Sequence, residues 1–163
     1  MIKRIQSKIL NWEQAEKKVL SWKSAKERVV FTNGCFDLMH FGHLHYLAEA
    51  RSLGERLVVG LNSEDSVRRL KGPHRPINDE NTRQFQLASL EFVDAVVVFE
   101  QDTPLELITL LQPDILVKGG DWQAEQILGS DIVLSKGGMV KSLPFIKGYS
   151  TTLIEQKIKN QRP

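Results

Sequence analysis

The stretch from Arg28 to Asn62 constrains the fold more than any other part of this 163-residue chain. Arg28-Val29-Val30-Phe31 is short, apolar and β-branched, the composition of a buried strand. Asn33-Gly34 interrupts it, and Leu44, Leu47, Ala48 and Leu53 recur at helical spacing as far as Gly54, a stop signal. Arg56-Leu57-Val58-Val59-Gly60-Leu61-Asn62 then reads as a second strand. Strand, helix, strand is a βαβ unit, which commits the chain to a parallel sheet. The turn after the first strand offers unpaired backbone N–H groups and a positive helix end, a combination suited to phosphate. Gly34 can let backbone approach a ligand, and Gly42 leaves room where a side chain would intrude. His40 and His43, three residues apart, can project toward the same anion. Glycine also serves ordinary turns, and a lone histidine at a helix start is often a cap, but two histidines around Gly42 favour the phosphate reading. A zinc reading exists for His40, His43 and His45. The single cysteine, Cys35, and the lack of a further spaced His pair argue against a structural zinc, and no metal ligand is assigned.

The rest of the chain continues the α/β alternation. Ile2, Ile5, Ile9 and Trp12, extended by Ala15, Val19 and Trp22, recur at helical spacing, so residues 1–25 read as an N-terminal helical extension. Asn11 with Gln14 three later is a capping signal inside it. Ser63 caps a short helix with acids in its first turn and Arg68 and Arg69 in its last, an arrangement the helix dipole alone explains. Arg68, Arg69, Lys71, His74 and Arg75 nevertheless form a basic run broken by Gly72-Pro73, and Lys71 is its leading candidate for a phosphate-rich substrate. Asp79 caps a helix through Glu91; Arg83 sits in its first half, a poor place for a cation unless an anion pairs with it. Residues 94–99, 115–118 and 138–145 supply three more strands, five in all, and Thr103-Pro104 opens a helix that ends near Leu111. Lys118-Gly119-Gly120-Asp121-Trp122 is a second strand-to-turn junction, in which Trp122 is either core or pocket wall. Ser150-Thr151-Thr152 opens a last helix; Ser150 is a natural N-cap, and the helix start is also a second anion cradle.

Composition narrows the function classes. A chain of this length suits one domain, with 41% hydrophobic and 26% charged residues. A net charge of +2 argues against a general polyanion-binding surface, so nucleic acid is not an expected partner. One cysteine fits a reducing cytoplasm. No apolar run approaches transmembrane length and no signal-peptide core is visible, so a cytoplasmic protein without a membrane partner is expected.

Thr32-Asn33-Gly34-Cys35-Phe36-Asp37 followed by His40-x-Gly42-His43 resembles the cytidylyltransferase-like nucleotidyltransferases, whose signature is His-x-Gly-His. Val59-Gly60-Leu61-Asn62-Ser63, Arg68-Arg69-Leu70-Lys71-Gly72-Pro73, Asp102-Thr103-Pro104, Lys118-Gly119-Gly120-Asp121-Trp122 and Ser150-Thr151-Thr152 extend the resemblance from about Trp22 to Ile158. Together they resemble the bacterial D-glycero-D-manno-heptose 1-phosphate adenylyltransferases, often one half of a bifunctional kinase/adenylyltransferase and here expected to stand alone. The resemblance implies a Rossmann-like three-layer α/β fold of the HxGH type, with residues 26–163 as the nucleotidyltransferase domain on a five-stranded parallel sheet. It implies ATP and a heptose 1-phosphate as substrates, Mg²⁺ arriving with the triphosphate, and a homodimer. His40, His43, Lys71 and Arg83 are the implied catalytic residues. Asn33, Gly34, Cys35, Phe36, Asp37, Gly42, Lys118, Gly119, Asp121, Ser150 and Thr151 are the implied nucleotide-binding residues. Asp37 has two roles open to it, fixing the turn or approaching the metal. Glycerol-phosphate cytidylyltransferases carry an arginine where this chain has Phe145, which weighs against a cytidylyltransferase for a polyol phosphate; a nucleotide-binding module without catalysis is the other alternative, against which the two histidines stand.

Overall fold

The computed structural model describes residues 1–160. The chain runs α1 (Ile2–Gln6), β1 (Ile9–Leu10), α2 (Trp12–Ser24), β2 (Val29–Gly34), α3 (Phe41–Arg51), β3 (Arg56–Asn62), α4 (Glu64–Lys71), α5 (Glu80–Ser89), β4 (Ala95–Phe99), α6 (Leu105–Leu111), β5 (Ile115–Gly119), a 3₁₀ turn (Ala124–Gln126), α7 (Ser130–Leu134), β6 (Met139–Leu143) and α8 (Thr151–Asn160). The strands form one parallel sheet in the order β1-β4-β3-β2-β5-β6. The fold is Rossmann-like α/β, with helices on both faces of the sheet. β2 and β3, buried on both faces, are the continuous apolar runs that a covered parallel strand requires.

The sheet has six strands among the described residues, not the five expected. The sixth, β1, lies inside the stretch read as helical: Ile9 and Leu10 pair with Val96 and Val97 at the edge. Two residues are too few to show a period of two, and Ile9 fits the helical spacing of its neighbours by coincidence. The first 25 residues therefore complete the sheet as well as covering it. Trp12 Nε1 donates to the Val98 carbonyl at 2.8 Å, and Ala15, Val19 and Trp22 of α2 are buried against Phe31, Val97 and Leu107. Truncating an indole as buried as Trp22 costs about 3–5 kcal/mol. On the opposite face Leu47 and Ala50 of α3 and Leu87 and Ala88 of α5 pack on Val30, Leu57 and Val59.

Local signals set the helix ends. Asn11 accepts from Gln14 N at 2.8 Å while Gln14 Oε1 accepts from Asn11 N at 3.0 Å, a complete capping box. Ser63 caps α4 through Ser66 N and Asp79 caps α5 through Thr82 N. Gly54 does more than stop α3: a Cβ there would stand 2.8 Å from the Arg28 carbonyl oxygen, so its bareness lets the loop pass beside β2.

Strand order places the site. From β2 the sheet grows through β3 to β4 on one side; the chain then crosses to β5 on the other side of β2. The carboxyl ends of β2 and β5 thus frame the switch point where an open α/β sheet receives ligands.

Candidate active site

β2 ends in Asn33-Gly34, and Phe36 takes a left-handed φ of 44° to turn the chain toward α3. His40 occupies the N-cap position of α3 in extended conformation, but its side chain caps nothing. Among the described helices of eight residues or more, α3 alone lacks a side-chain N-cap; Asn11, Ser63, Asp79 and Ser150 serve the others. An uncapped N-terminus at a switch point leaves its amides and partial positive charge for an anion. Gly42 lies close beside His40: a Cβ would stand 3.0 Å from His40 Nδ1 and 3.3 Å from Tyr149 Cβ, so these side chains would have to shift to admit it.

The His40 and His43 rings stack with centroids 3.9 Å apart and planes 25° from parallel. Their buried Nδ1 atoms have no hydrogen-bond partner among the described residues. Burial pushes both imidazoles below the ordinary histidine range; the neighbouring His40 and Lys71 add to the effect on His43, which falls to about 4. Both rings are therefore neutral at pH 7 before any ligand arrives.

A cavity of about 570 Å³ lies over this turn. Asn33, Gly34, Cys35, Phe36, Asp37, His40, Gly42 and His43 line one side, and Lys118, Gly119, Ser150 and Thr151 the other, with Lys71 at the margin. A second cavity of about 490 Å³ adjoins it, sharing Asn33, Gly34, Cys35, Lys71 and Lys118 and continuing to Asp102, Thr103 and Trp122. A third, of about 630 Å³, is walled by Glu64, Asp65, Glu80 and Glu100, which would repel phosphate. Lys71 and Lys118 make no hydrogen bond or ion pair among the described residues, and burial lowers the Lys118 pKa. Burial likewise raises that of the Cys35 thiol, which stays protonated.

Two expected residues do not line either cavity. Asp121 is exposed beyond the end of β5. Arg83 is wholly buried beneath the turn, where Nη1 donates to the carbonyls of Cys35 at 2.9 Å and Asn62 at 2.8 Å. No carboxylate pairs with it among the described residues, so it acts as a buried cation holding the turn from below. The basic run also divides. Arg68 pairs with Glu64 and Asp65, Arg69 with Asp102, and Arg75 with Asp37 and Glu155, which leaves Lys71 free to serve a ligand. Asp37 fixes loops: its buried carboxylate accepts from Ile77 N at 2.9 Å and Asn78 N at 2.8 Å and faces Arg75 Nε at 3.2 Å. His45 lies outside the cavity, 3.8 Å from Glu49.

Sequence reasoning gave no place in the site to Tyr46 or Tyr149 and weighed Phe145 only as the residue standing in for an arginine; all three line the larger cavity. Tyr46 lies one helical turn beyond His43, and that spacing was its signal. Its hydroxyl meets Thr32 Oγ1 at 2.5 Å and donates to the Val117 carbonyl at 3.3 Å, tying α3 to β2 and β5; burial pushes its pKa up to about 12. Trp122 proves to be wall rather than core, its Nε1 donating to the Gly119 carbonyl at 3.1 Å.

The chain is similar to two curated proteins named Bifunctional protein HldE. That of Trichlorobacter lovleyi is 53% identical over 152 residues, 93% of this chain and 31% of the relative; that of Magnetococcus marinus is 54% identical over 155 residues, 95% and 32%. The chain thus spans about a third of the length of these relatives. Among solved structures, a lipopolysaccharide core biosynthesis protein from Thermoplasma volcanium is 31% identical with a TM-score of 0.58, covering 76% of this chain and 99% of that one. Pantoate-beta-alanine ligase from Francisella tularensis shares the fold alone, at 15% identity and a TM-score of 0.59, over 93% of this chain and 76% of that one. The family model described as cytidylyltransferase-like matches residues 31–157, the span that carries the histidine turn, both lysines and the Ser150 helix start. The chain belongs to the cytidylyltransferase-like family.

Proposed function

We propose that this protein is a nucleotidyltransferase that moves AMP from ATP to D-glycero-D-manno-heptose 1-phosphate, giving ADP-heptose and pyrophosphate. The observation that carries the reading is the meeting of two cavities along Lys71 and Lys118, directly over the uncapped helix and the paired histidines. In this reading ATP occupies the larger cavity and the sugar phosphate the smaller one. A phosphate oxygen of the sugar attacks the α-phosphorus, the bond to the β-phosphate oxygen breaks, and pyrophosphate leaves with the electron pair. The nucleophile is already an anion, so the site needs no activating base, only alignment and charge neutralisation. His40, His43, the α3 amides and the two ammonium groups supply donors for that.

Asp37 is the sole carboxylate lining the larger cavity among the described residues, and its oxygens are taken up by Ile77, Asn78 and Arg75. The described residues therefore offer no free carboxylate there for Mg²⁺, which fits a cation carried by the triphosphate oxygens as part of the substrate. Resemblance to the heptose 1-phosphate adenylyltransferases supports the choice of sugar and a cytoplasmic homodimer. Likeness to the lipopolysaccharide core biosynthesis protein of Thermoplasma volcanium supports a place in surface-glycan synthesis. No helix among the described residues is long and apolar enough to cross a membrane.

Pyrophosphate release with ATP or CTP, each paired with heptose 1-phosphate or glycerol phosphate, tests the reading. Turnover is expected only with ATP and heptose 1-phosphate. Comparable product from CTP would overturn the adenylyl assignment, and nucleotide binding without pyrophosphate from any pair would reduce the protein to a binding module.

A further inference from the structure

The helix α8 is placed at the cavity but scarcely held there. Thr151 in its first turn and the preceding segment 145–150 form one wall, yet no α8 side chain is buried, and Leu153 and Ile158 are 46% and 57% exposed. Burial of an apolar face is what normally docks a helix, and of its apolar residues α8 half-buries only Ile154. Tyr149, just before the helix, touches Phe41 with ring centroids 5.1 Å apart. Among the described residues, a single hydrogen-bonded ion pair joins an α8 side chain to another element: Glu155 with Arg75 Nη1.

Arg75 is built into the molecule from its other edge. Its side chain is 14% exposed, and its Nε faces Asp37 Oδ2 at 3.2 Å. Asp37 stands three residues before His40 and also gathers the amides of Ile77 and Asn78, while Asn78 Nδ2 returns a hydrogen bond to the Asp37 carbonyl at 2.6 Å. One planar guanidinium thus spans three segments that are distant in sequence: the histidine turn, the loop after Lys71, and α8. A fork with donors on two edges can serve two carboxylates at once; a lysine ammonium is a point charge and cannot hold the same geometry.

We propose that Arg75 is a positioning residue: through Glu155 it docks α8, and with it the Ser150-Thr151 wall, against the turn that carries His40 and His43. It lines neither cavity, so it acts only through the groups it holds. The inference rests on the reading that the larger cavity takes ATP. When the tie is cut, α8 spends most of its time undocked, and ATP binds only the docked fraction. Apparent affinity falls by that fraction, while the filled site retains its chemistry.

Glu155→Gln is the decisive variant, because it removes one carboxylate from a partly exposed surface and leaves the Asp37 side of the joint intact. Losing a charge-assisted contact of this kind should raise the KM for ATP roughly tenfold with kcat within about twofold of wild type. Amide hydrogen exchange of residues 151–158 should quicken in the free variant, and a non-hydrolysable ATP analogue should restore protection. Arg75→Lys should show the same KM increase rather than a rescue. Unchanged exchange and KM in Glu155→Gln, a fall in kcat at unchanged KM, or wild-type behaviour of Arg75→Lys would each overturn the proposal. Exchange in the free protein judges the tie by itself. An ATP analogue that protects nothing in the wild type would instead count against the larger cavity as a nucleotide site.

Discussion

Acidification should unfasten this protein through His43. In the folded chain burial, His40 and Lys71 hold its imidazole near 4, whereas the unfolded chain titrates it near the ordinary 6.5. The unfolded state therefore takes up a proton first as pH falls. Stability from this group is whole above about pH 6.5, declines between 6.5 and 4, and is gone below 4. A depression of that size corresponds to at most about 3 kcal/mol, and partial exposure of the ring screens it to about 1–2 kcal/mol. His43→Gln removes the titrating group while keeping a polar side chain of similar reach. Urea unfolding of both proteins at pH 7.5, 6.0, 5.0 and 4.5 should show the wild type losing about 1–2 kcal/mol more than the variant across that range. A residual slope in the variant is expected from His40, whose pKa burial also lowers. Superimposable pH profiles for the two proteins would refute the reasoning. The same argument predicts proton uptake on nucleotide binding near pH 6, since a triphosphate beside the ring favours its charged form. Calorimetry with an ATP analogue in buffers of different ionisation enthalpy measures that uptake.

Lys71→Ala should cut turnover about ten- to a hundredfold while weakening ATP binding less, because the ammonium lines both adjoining cavities, the seam at which the proposed reading brings two polyanions together; steady-state kinetics beside calorimetric ATP titration decide it. Arg83→Met should leave the thermal midpoint within a few degrees, relief of a buried charge offsetting two lost hydrogen bonds, while weakening binding of an ATP analogue by about 1–2 kcal/mol. An unfolded Arg83→Met protein, or one that binds normally, would count against the buried cation. Trp122→Ala should raise the KM for the sugar phosphate several-fold, by about 1 kcal/mol, and leave that for ATP unchanged.

What the sequence disclosed follows the range of the interactions involved. β2 and β3 were legible because strands covered on both faces must be apolar throughout, and α2, α4 and α5 because their caps lie within three residues of the groups they satisfy. The short α7 and the two-residue β1 were not, since neither is long enough to display a period. Within the site, the histidine turn and Lys71 stood out by local chemistry, whereas Lys118 was placed only by the family resemblance. The fate of the arginines was not: Arg75, Arg69 and Arg83 look alike in a basic or amphipathic stretch, and only partners brought up by the tertiary fold separate a strap, a surface pair and a buried prop. Asp37 kept two roles open until the fold brought Ile77 and Asn78 to it.

A cavity walled by residues as far apart in sequence as Asn33 and Leu153 can be completed only after the chain between them has folded. β2 can pair with β3 as soon as both have emerged from the ribosome, but its other edge waits for Ile115 and Leu116. Pairings at such separation are slow to form. A chain halted before β6 already displays the histidine turn but lacks the wall opposite, so it has only part of the cavity. On the proposed reading, ATP would act as a selector of finished molecules: a ligand at a hundred times its dissociation constant adds about 2.7 kcal/mol to the completed fold and far less to the incomplete one.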